Sequence, residues 1–132
     1  MFLDAGVPEE TIEPMIENFR PWLERRLADG RYFGFVVGDG DLPVASVGLM
    51  VIDWPPHPLH PDDERRGYIL NMFVAPTHRR QGLARRLMEL ADERFRELGV
   101  SLIVLHATEK GRKLYRTLGW SETSEMVKRL TP

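Results

Sequence analysis

The sequence predicts one domain of the α/β class, α+β in arrangement. The expected sheet is mixed and mainly antiparallel, with a central parallel strand pair and helices on both faces. Three observations lead there. The chain has 132 residues and a mass of 15.3 kDa, enough for one core and too little for two, so residues 1–132 are taken as a single domain. Two runs of strand-forming residues, 32–37 and 44–52, flank Gly38-Asp39-Gly40-Asp41, which is a β-hairpin signal. Residues 67–74, an amphipathic helical stretch and the apolar run 102–105 then follow in strand–helix–strand order, which implies a parallel pair joined by a right-handed crossover.

Each element has its own warrant. Thr11 is placed to cap a first helix whose apolar positions Ile12, Met15, Ile16 and Phe19 follow the helical period, with Pro14 in the first turn. Pro21 lacks an N–H and is read as the first position of a second short helix carrying Trp22, Leu23 and Leu27 and ending at Asp29-Gly30. After the hairpin, residues 54–61 hold four prolines, which forbids a central strand and indicates a rigid loop. Strand 67–74 is ended by Pro76. A helix from about residue 80 to 98 presents Leu83, Leu87, Leu90, Ala91, Phe95 and Leu98 on one face and stops before Gly99. The run 102–105 reads as a buried strand, 109–118 as a helix closed by Gly119, and 120–130 as a final strand.

Composition narrows the function. Hydrophobic residues make up 42% and charged residues 29%, as in ordinary soluble domains, so disorder is not expected. The absence of cysteine excludes disulfides, thiolate zinc sites, iron–sulfur clusters and a cysteine nucleophile. The longest apolar run, residues 47–52, is far below the roughly 20 residues of a membrane span. With no signal-peptide pattern at the start, a soluble cytoplasmic protein is expected. A net charge of −2 argues against nucleic acid and anionic membranes as partners. The charge is uneven, however. Residues 1–30 hold seven acids and three bases, whereas 78–86 contain four arginines and no acid, a local anion site on a mildly acidic protein.

The arginines fall where a strand passes through a turn into a helix. Backbone N–H groups at a helix start have no intrahelical partner, and the helix dipole adds positive partial charge, so such a terminus receives phosphate. Gly82 removes a side chain from the path of a diphosphate, Ala84 keeps the next contact small, and Arg79 and Arg80 supply counter-charge. The segment Arg79-Arg80-Gln81-Gly82-Leu83-Ala84 resembles the acyl-CoA pyrophosphate loop, Arg/Gln-x-x-Gly-x-Gly/Ala, of the GNAT superfamily of acyl-CoA-dependent N-acyltransferases. Val74-x-Pro76 before it, Leu114-Tyr115-x-x-x-Gly119-Trp120 after it, and the order of elements between them are similar to that family as well. The resemblance covers about residues 30–130.

The resemblance implies a strand that splays from its parallel neighbour, with the acyl-pantetheine of acetyl-CoA in the gap. The backbone of Met72, Phe73 and Val74 would hold the pantetheine and acyl carbonyl, and Arg79, Arg80, Gln81, Gly82, Leu83 and Ala84 would wrap the pyrophosphate. Tyr115 stands where the family keeps a tyrosine that protonates the departing thiolate, a role a phenol with a pKa near 10 can fill at neutral pH. The other reading of Tyr115 is a core aromatic on the face shared by Gly111, Leu114 and Leu118. Asn71, a carboxamide among apolar strand residues, is either a satisfied core amide or a substrate contact, and joins Tyr115 as a candidate catalytic residue. The chain departs from the family in three places. Thr108 replaces an asparagine that contacts pantetheine, with shorter reach; Gly111 replaces an alanine; and the chain enters its first helix almost at once, which leaves the usual N-terminal edge strand in doubt.

Of the histidines, His57 and His60 lie in the proline loop near Asp62, Asp63 and Glu64 without metal-ligand spacing, so no metal is expected. Either is a candidate base or rim residue. His106, at the end of the apolar run, is read mainly as a core histidine. The expected function is transfer of an acetyl group from acetyl-CoA to a primary amine of a small molecule or peptide, by direct attack in a ternary complex. The alternative is a non-catalytic acyl-CoA-binding regulatory domain. A homodimer is left open. The acidic N-terminal helices and the proline loop are expected to wall the acceptor site, which would favour a cationic amine or a peptide N-terminus.

Overall fold

The computed structural model describes residues 9–39 and 42–130. Its element order is α1 (Glu9–Asp29), β1 (Phe33–Asp39), β2 (Leu42–Asp53), β3 (Arg65–Val74), α2 (Leu83–Glu97), β4 (Ile103–Leu105) and α3 (Glu109–Thr117), with a short 3₁₀ turn at Pro76–His78. The strands lie side by side in the order β1-β2-β3-β4. Pairs β1/β2 and β2/β3 are antiparallel and β3/β4 is parallel, which is the mixed sheet the sequence predicts. The hairpin pairs down to Asp39 opposite Leu42, and its turn residues 40 and 41 lie outside the described residues.

Alternation along β2 divides the molecule. Ala45, Val47 and Leu49 point to one face and join Ile69, Leu87, Met88, Ala91 and Phe95 in the core beneath α2. Phe95, Leu49 and Leu87 are fully buried, each contributing about 1.5–3 kcal/mol of transfer free energy. Close approach of α2 and β4 to β3 depends on Gly67, where a Cβ would stand 2.7 Å from the Phe95 ring. Ser46 and Gly48 point to the other face, where α1 brings Phe19, Leu23 and Leu27 over the sheet.

Two expectations about the chain's ends are corrected. Pro21 does not divide the N-terminal region: α1 is one helix of 21 residues with Pro14 and Pro21 inside it, and Thr11 lies within that helix rather than capping it. Tertiary contacts offset the lost backbone bonds. Trp22 stacks on Phe19 at 5.7 Å, meets Tyr32 edge-on at 5.9 Å and is covered by Arg26 at 4.3 Å. Residues 120–130 form no strand. Their apolar side chains Met126, Val127 and Leu130 are exposed, and the segment is held to α3 by Glu122, which accepts hydrogen bonds from Arg112 at 2.6 Å and Arg116 at 2.7 Å. In consequence β4 is half-buried rather than buried, and the parallel pair stands at the sheet's edge instead of its centre. The doubt over an N-terminal edge strand falls on residues 1–8, outside the described residues.

The proline loop is a built structure. His57 and His60 form a β-bridge with their rings stacked at 5.7 Å, and His60 is buried. Its Nε2 accepts a hydrogen bond from Arg66 Nε at 2.9 Å, so Nδ1 carries the proton and donates to the Asp63 carbonyl, also at 2.9 Å. Both ring nitrogens are thus occupied, one by the loop and one by β3. That makes His60 a structural residue instead of a base. Arg66 also lies over the Trp54 ring at 4.3 Å.

Candidate active site

Strand β3 carries the first half of the site. Pairing with β4 stops at Ile69 opposite Leu105, although β3 continues to Val74. The strands thus part at the level of residues 70–74, leaving the backbone of Met72, Phe73 and Val74 without a strand neighbour on that side. The same stretch is bulged. Leu70 pairs with Gly48 and Phe73 with Ser46, so Asn71 and Met72 together oppose Val47. Asn71 adopts φ 54°, a left-handed conformation that asparagine tolerates better than other non-glycine residues. The extra residue changes the phase of the strand: Ile69, Met72 and Val74 serve the core, while Asn71 and Phe73 face the α1 side. The carboxamide is partnered within the chain. Its Nδ2 donates to the Tyr32 hydroxyl at 3.0 Å.

The second half is the entry to α2. Arg79, Arg80, Gln81 and Gly82 lie in the turn before the helix and are exposed, and Leu83 is the first helical residue. Gly82 is the N-cap at φ 78° and offers no side-chain cap; the first N–H with a helical partner is that of Arg86, which donates to the Gly82 carbonyl at 3.0 Å. The N–H groups of Leu83, Ala84 and Arg85 therefore keep no intrahelical acceptor. A Cβ placed on Gly82 would meet nothing within 4 Å, so the space in front of these donors is open. Arg79 Nε donates to the Val74 carbonyl at 3.2 Å, tying the turn to the end of β3. Donor groups, dipole and arginines fit a diphosphate.

Residues Thr108, Gly111 and Tyr115 are brought together on α3. Thr108 is the N-cap, its Oγ1 accepting from the Gly111 N–H at 3.2 Å, which leaves its O–H free to donate. A Cβ on Gly111 would lie 2.9 Å from the Tyr115 ring, so glycine makes room for that ring. Tyr115 packs on the core and meets Trp120 edge-on at 6.1 Å. Burial pushes its phenol above the ordinary value. Among the described residues its hydroxyl makes no hydrogen bond, and it is not sealed from solvent. The structure does not join Asn71 and Tyr115 by a hydrogen bond. His106 is exposed, with Nε2 3.7 Å from Glu125, and is not the core histidine expected.

Between α1 and the sheet lies a cavity of about 570 Å³, a size suited to a small organic molecule. Its walls are Phe19, Leu23 and Leu27 of α1, Val36 of β1 and Phe73 of β3, and its floor is Gly34 and Gly48, paired across β1 and β2. Asn71 and Tyr32 lie at one side of it. Among the described residues the proline loop takes no part, and Glu10, Glu13, Glu17 and Glu24 of α1 are exposed and do not line the cavity. Among the described residues the walls of this cavity are thus apolar. Helical phase explains it, because the acids alternate with the apolar stripe that faces the sheet.

Comparison with known proteins agrees with this fold. The family described as Acetyltransferase (GNAT) family matches residues 2–120. The chain belongs to the GNAT acetyltransferase family. It is 33% identical over 119 residues to an uncharacterized N-acetyltransferase, YdgE, of Bacillus subtilis strain 168, covering 88% of this chain and 68% of that protein. A crystal structure of a GCN5-related N-acetyltransferase from Ralstonia eutropha JMP134 superposes with a TM-score of 0.96 at 52% identity, covering 98% of this chain and 85% of the other. A structure described as a predicted acetyltransferase with acetyl-CoA, from Clostridium acetobutylicum, shares the fold with a TM-score of 0.86 at 24% identity, covering 98% and 82%.

Within this GNAT chain, three features escaped sequence reasoning. Tyr32 reads as an ordinary strand residue, yet its buried phenol is the partner of Asn71; burial raises its pKa, against a smaller downward effect of that hydrogen bond. Gly34 and Gly48 are isolated glycines inside strands, a signal of close approach that could have located the floor. Gly48 gives way to the Tyr32 ring, which occupies the place a Cβ would take. Among the described residues, no three His, Asp or Glu side chains gather to hold a metal. No helix there is long and apolar enough to cross a membrane.

Proposed function

We propose that the chain transfers the acetyl group of acetyl-CoA to a primary amine by direct attack within a ternary complex. One observation carries the reading. The freed edge of β3 at residues 70–74 runs into an uncapped, arginine-flanked helix start, and the cavity opens on the α1 side of the same bulged strand. In this reading the backbone of Met72, Phe73 and Val74 binds the pantetheine and orients the acyl carbonyl. Arg79, Arg80, Gln81, Gly82, Leu83 and Ala84 enclose the pyrophosphate, and the Thr108 hydroxyl donates to the pantetheine arm.

The amine nitrogen forms a bond to the carbonyl carbon, the C–S bond breaks, and the thiolate leaves. Tyr115 gives it a proton: a phenol held above its ordinary pKa by burial stays protonated across the neutral range, and its unbonded hydroxyl is free to donate. Asn71 fixes Tyr32 and the bulge, a positioning role. The nitrogen's own proton leaves to water, since among the described residues no carboxylate lies in β3 or in the cavity wall.

Calorimetry and thermal unfolding with acetyl-CoA, followed by single-turnover transfer to an amine panel, test the reading. Micromolar binding, a raised Tm and amide formation are expected. Binding without turnover across the panel would instead mark an acyl-CoA-binding regulatory domain, and no binding would end both readings.

A further inference from the structure

The cavity constrains the acceptor more tightly than the family does. Among the described residues its lining carries no Asp, Glu, Lys, Arg or His. A polycationic amine, an amino acid or a peptide terminus flanked by a carboxylate would bring a second charge into this space without a partner, at a cost of several kcal/mol for each unpaired ion. The polar groups it offers are few: the Ser46 hydroxyl, and Asn71 and Tyr32, which are joined by Asn71 Nδ2 donating to the Tyr32 oxygen at 3.0 Å. An amino sugar would therefore leave most of its hydroxyls unsatisfied.

What the walls favour is an apolar body. Phe19, Leu23 and Phe73 provide apolar contact surfaces beside the paired glycines Gly34 and Gly48, where the place of a side chain is already taken by the Val47 carbonyl and the Tyr32 hydroxyl. At the rim, Val36 and Leu27 are 69% and 54% exposed, apolar surface held in water beside the site. The volume of about 570 Å³ suits a molecule with one ring and a short arm, and excludes a folded protein substrate.

Resting on the acetyltransferase reading above, we infer that the acceptor is a primary amine on an uncharged, ring-bearing apolar body, with its nitrogen at the Asn71 end of the cavity and its ring among the Phe19, Leu23 and Phe73 side chains. An apolar cavity admits the free base in preference to the ammonium ion. That supplies the nucleophile without a carboxylate. The step balances: the neutral amine forms the N–C bond, the C–S bond breaks, the thiolate gains one proton and the nitrogen loses one.

The test compares 2-phenylethylamine with spermidine, glucosamine and the dipeptide alanyl-serine as acceptors of acetyl-CoA, together with Leu27→Glu, a partly exposed rim position whose change leaves the core intact. The expected kcat/KM for 2-phenylethylamine exceeds each of the others by at least about tenfold, the scale set by burying one ring. Leu27→Glu should raise its KM about tenfold with the Kd for acetyl-CoA unchanged. Equal or better use of any of the other three amines, or an unmoved KM, overturns the inference. Binding of 2-phenylethylamine without acetyl-CoA, read from the amide resonances of Gly34 and Gly48, separates the two levels. If acetyl-CoA fails to bind, the acetyltransferase reading falls while shifts at those glycines still uphold the apolar-amine site; no shifts there remove it.

Discussion

Asn71 stands at φ 54°, and that one residue sets which side chains of β3 reach the core and which reach the cavity. Two functions of it are separable by substitution. Asn71→Gly keeps the left-handed conformation and loses the carboxamide, so stability should change by less than about 1 kcal/mol while transfer slows through a loosened Tyr32. Asn71→Val forces a β-branched residue into the same conformation and should cost about 1–3 kcal/mol. Equal denaturant midpoints for the two variants would show that the bulge does not depend on the residue. Tyr115→Phe is the complementary probe. The ring contacts with Trp120 and the room left by Gly111 are retained, so midpoint and acetyl-CoA affinity should hold, while the single-turnover rate drops by roughly 10²–10⁴-fold. A normal rate with a lowered midpoint would return Tyr115 to a purely structural role.

At the scale of elements, the entry to α2 is the piece whose role rests on openness, and its test must separate obstruction from strain. Gly82 lies at φ 78°, so any β-branched replacement is strained before a ligand arrives. Asparagine tolerates that conformation, which makes Gly82→Asn the cleaner variant. It should unfold within about 1 kcal/mol of the parent and weaken acetyl-CoA binding by at least about tenfold, because the added carboxamide enters the open space before the free N–H groups. Unchanged affinity would remove the loop from the phosphate site. This element was legible in the sequence because its parts are local: a glycine, arginines and a helix period within a dozen residues. The hairpin and the strand–helix–strand unit were legible for the same reason. The bulge was not, since a residue's side of a strand depends on register with β2, which sequence pattern does not encode. The continuity of α1 through Pro21 and the coil at 120–130 were missed because tertiary contacts decide them: Trp22 against Tyr32 in one case, Glu122 against Arg112 and Arg116 in the other. The cavity was missed for want of α1's phase over the sheet.

For the whole molecule, the titratable groups predict an alkaline limit to stability. Tyr32, Tyr68 and Tyr115 all have phenols pushed above the ordinary value, in each case first by burial, with Glu125 adding to the effect at Tyr68. In the unfolded chain these phenols ionise near pH 10. Their contribution to stability is full below that value. As pH rises further the unfolded state loses protons that the folded state still holds, so stability falls until the raised folded values are passed. Other groups add little in this window. The chain has no cysteine, and arginine supplies 15 of its 18 basic residues, a side chain that does not deprotonate in proteins. The urea midpoint should therefore stay level from about pH 7 to 9 and decline above about pH 10, with tyrosinate absorbance rising as the chain unfolds. Tyr68→Phe should make the decline shallower, since it removes one of the three phenols at a half-buried position where the ring alone keeps most of the packing. A midpoint that holds steady to pH 11, or tyrosinate forming at the ordinary phenol value while the chain is still folded, would show that burial does not protect these residues.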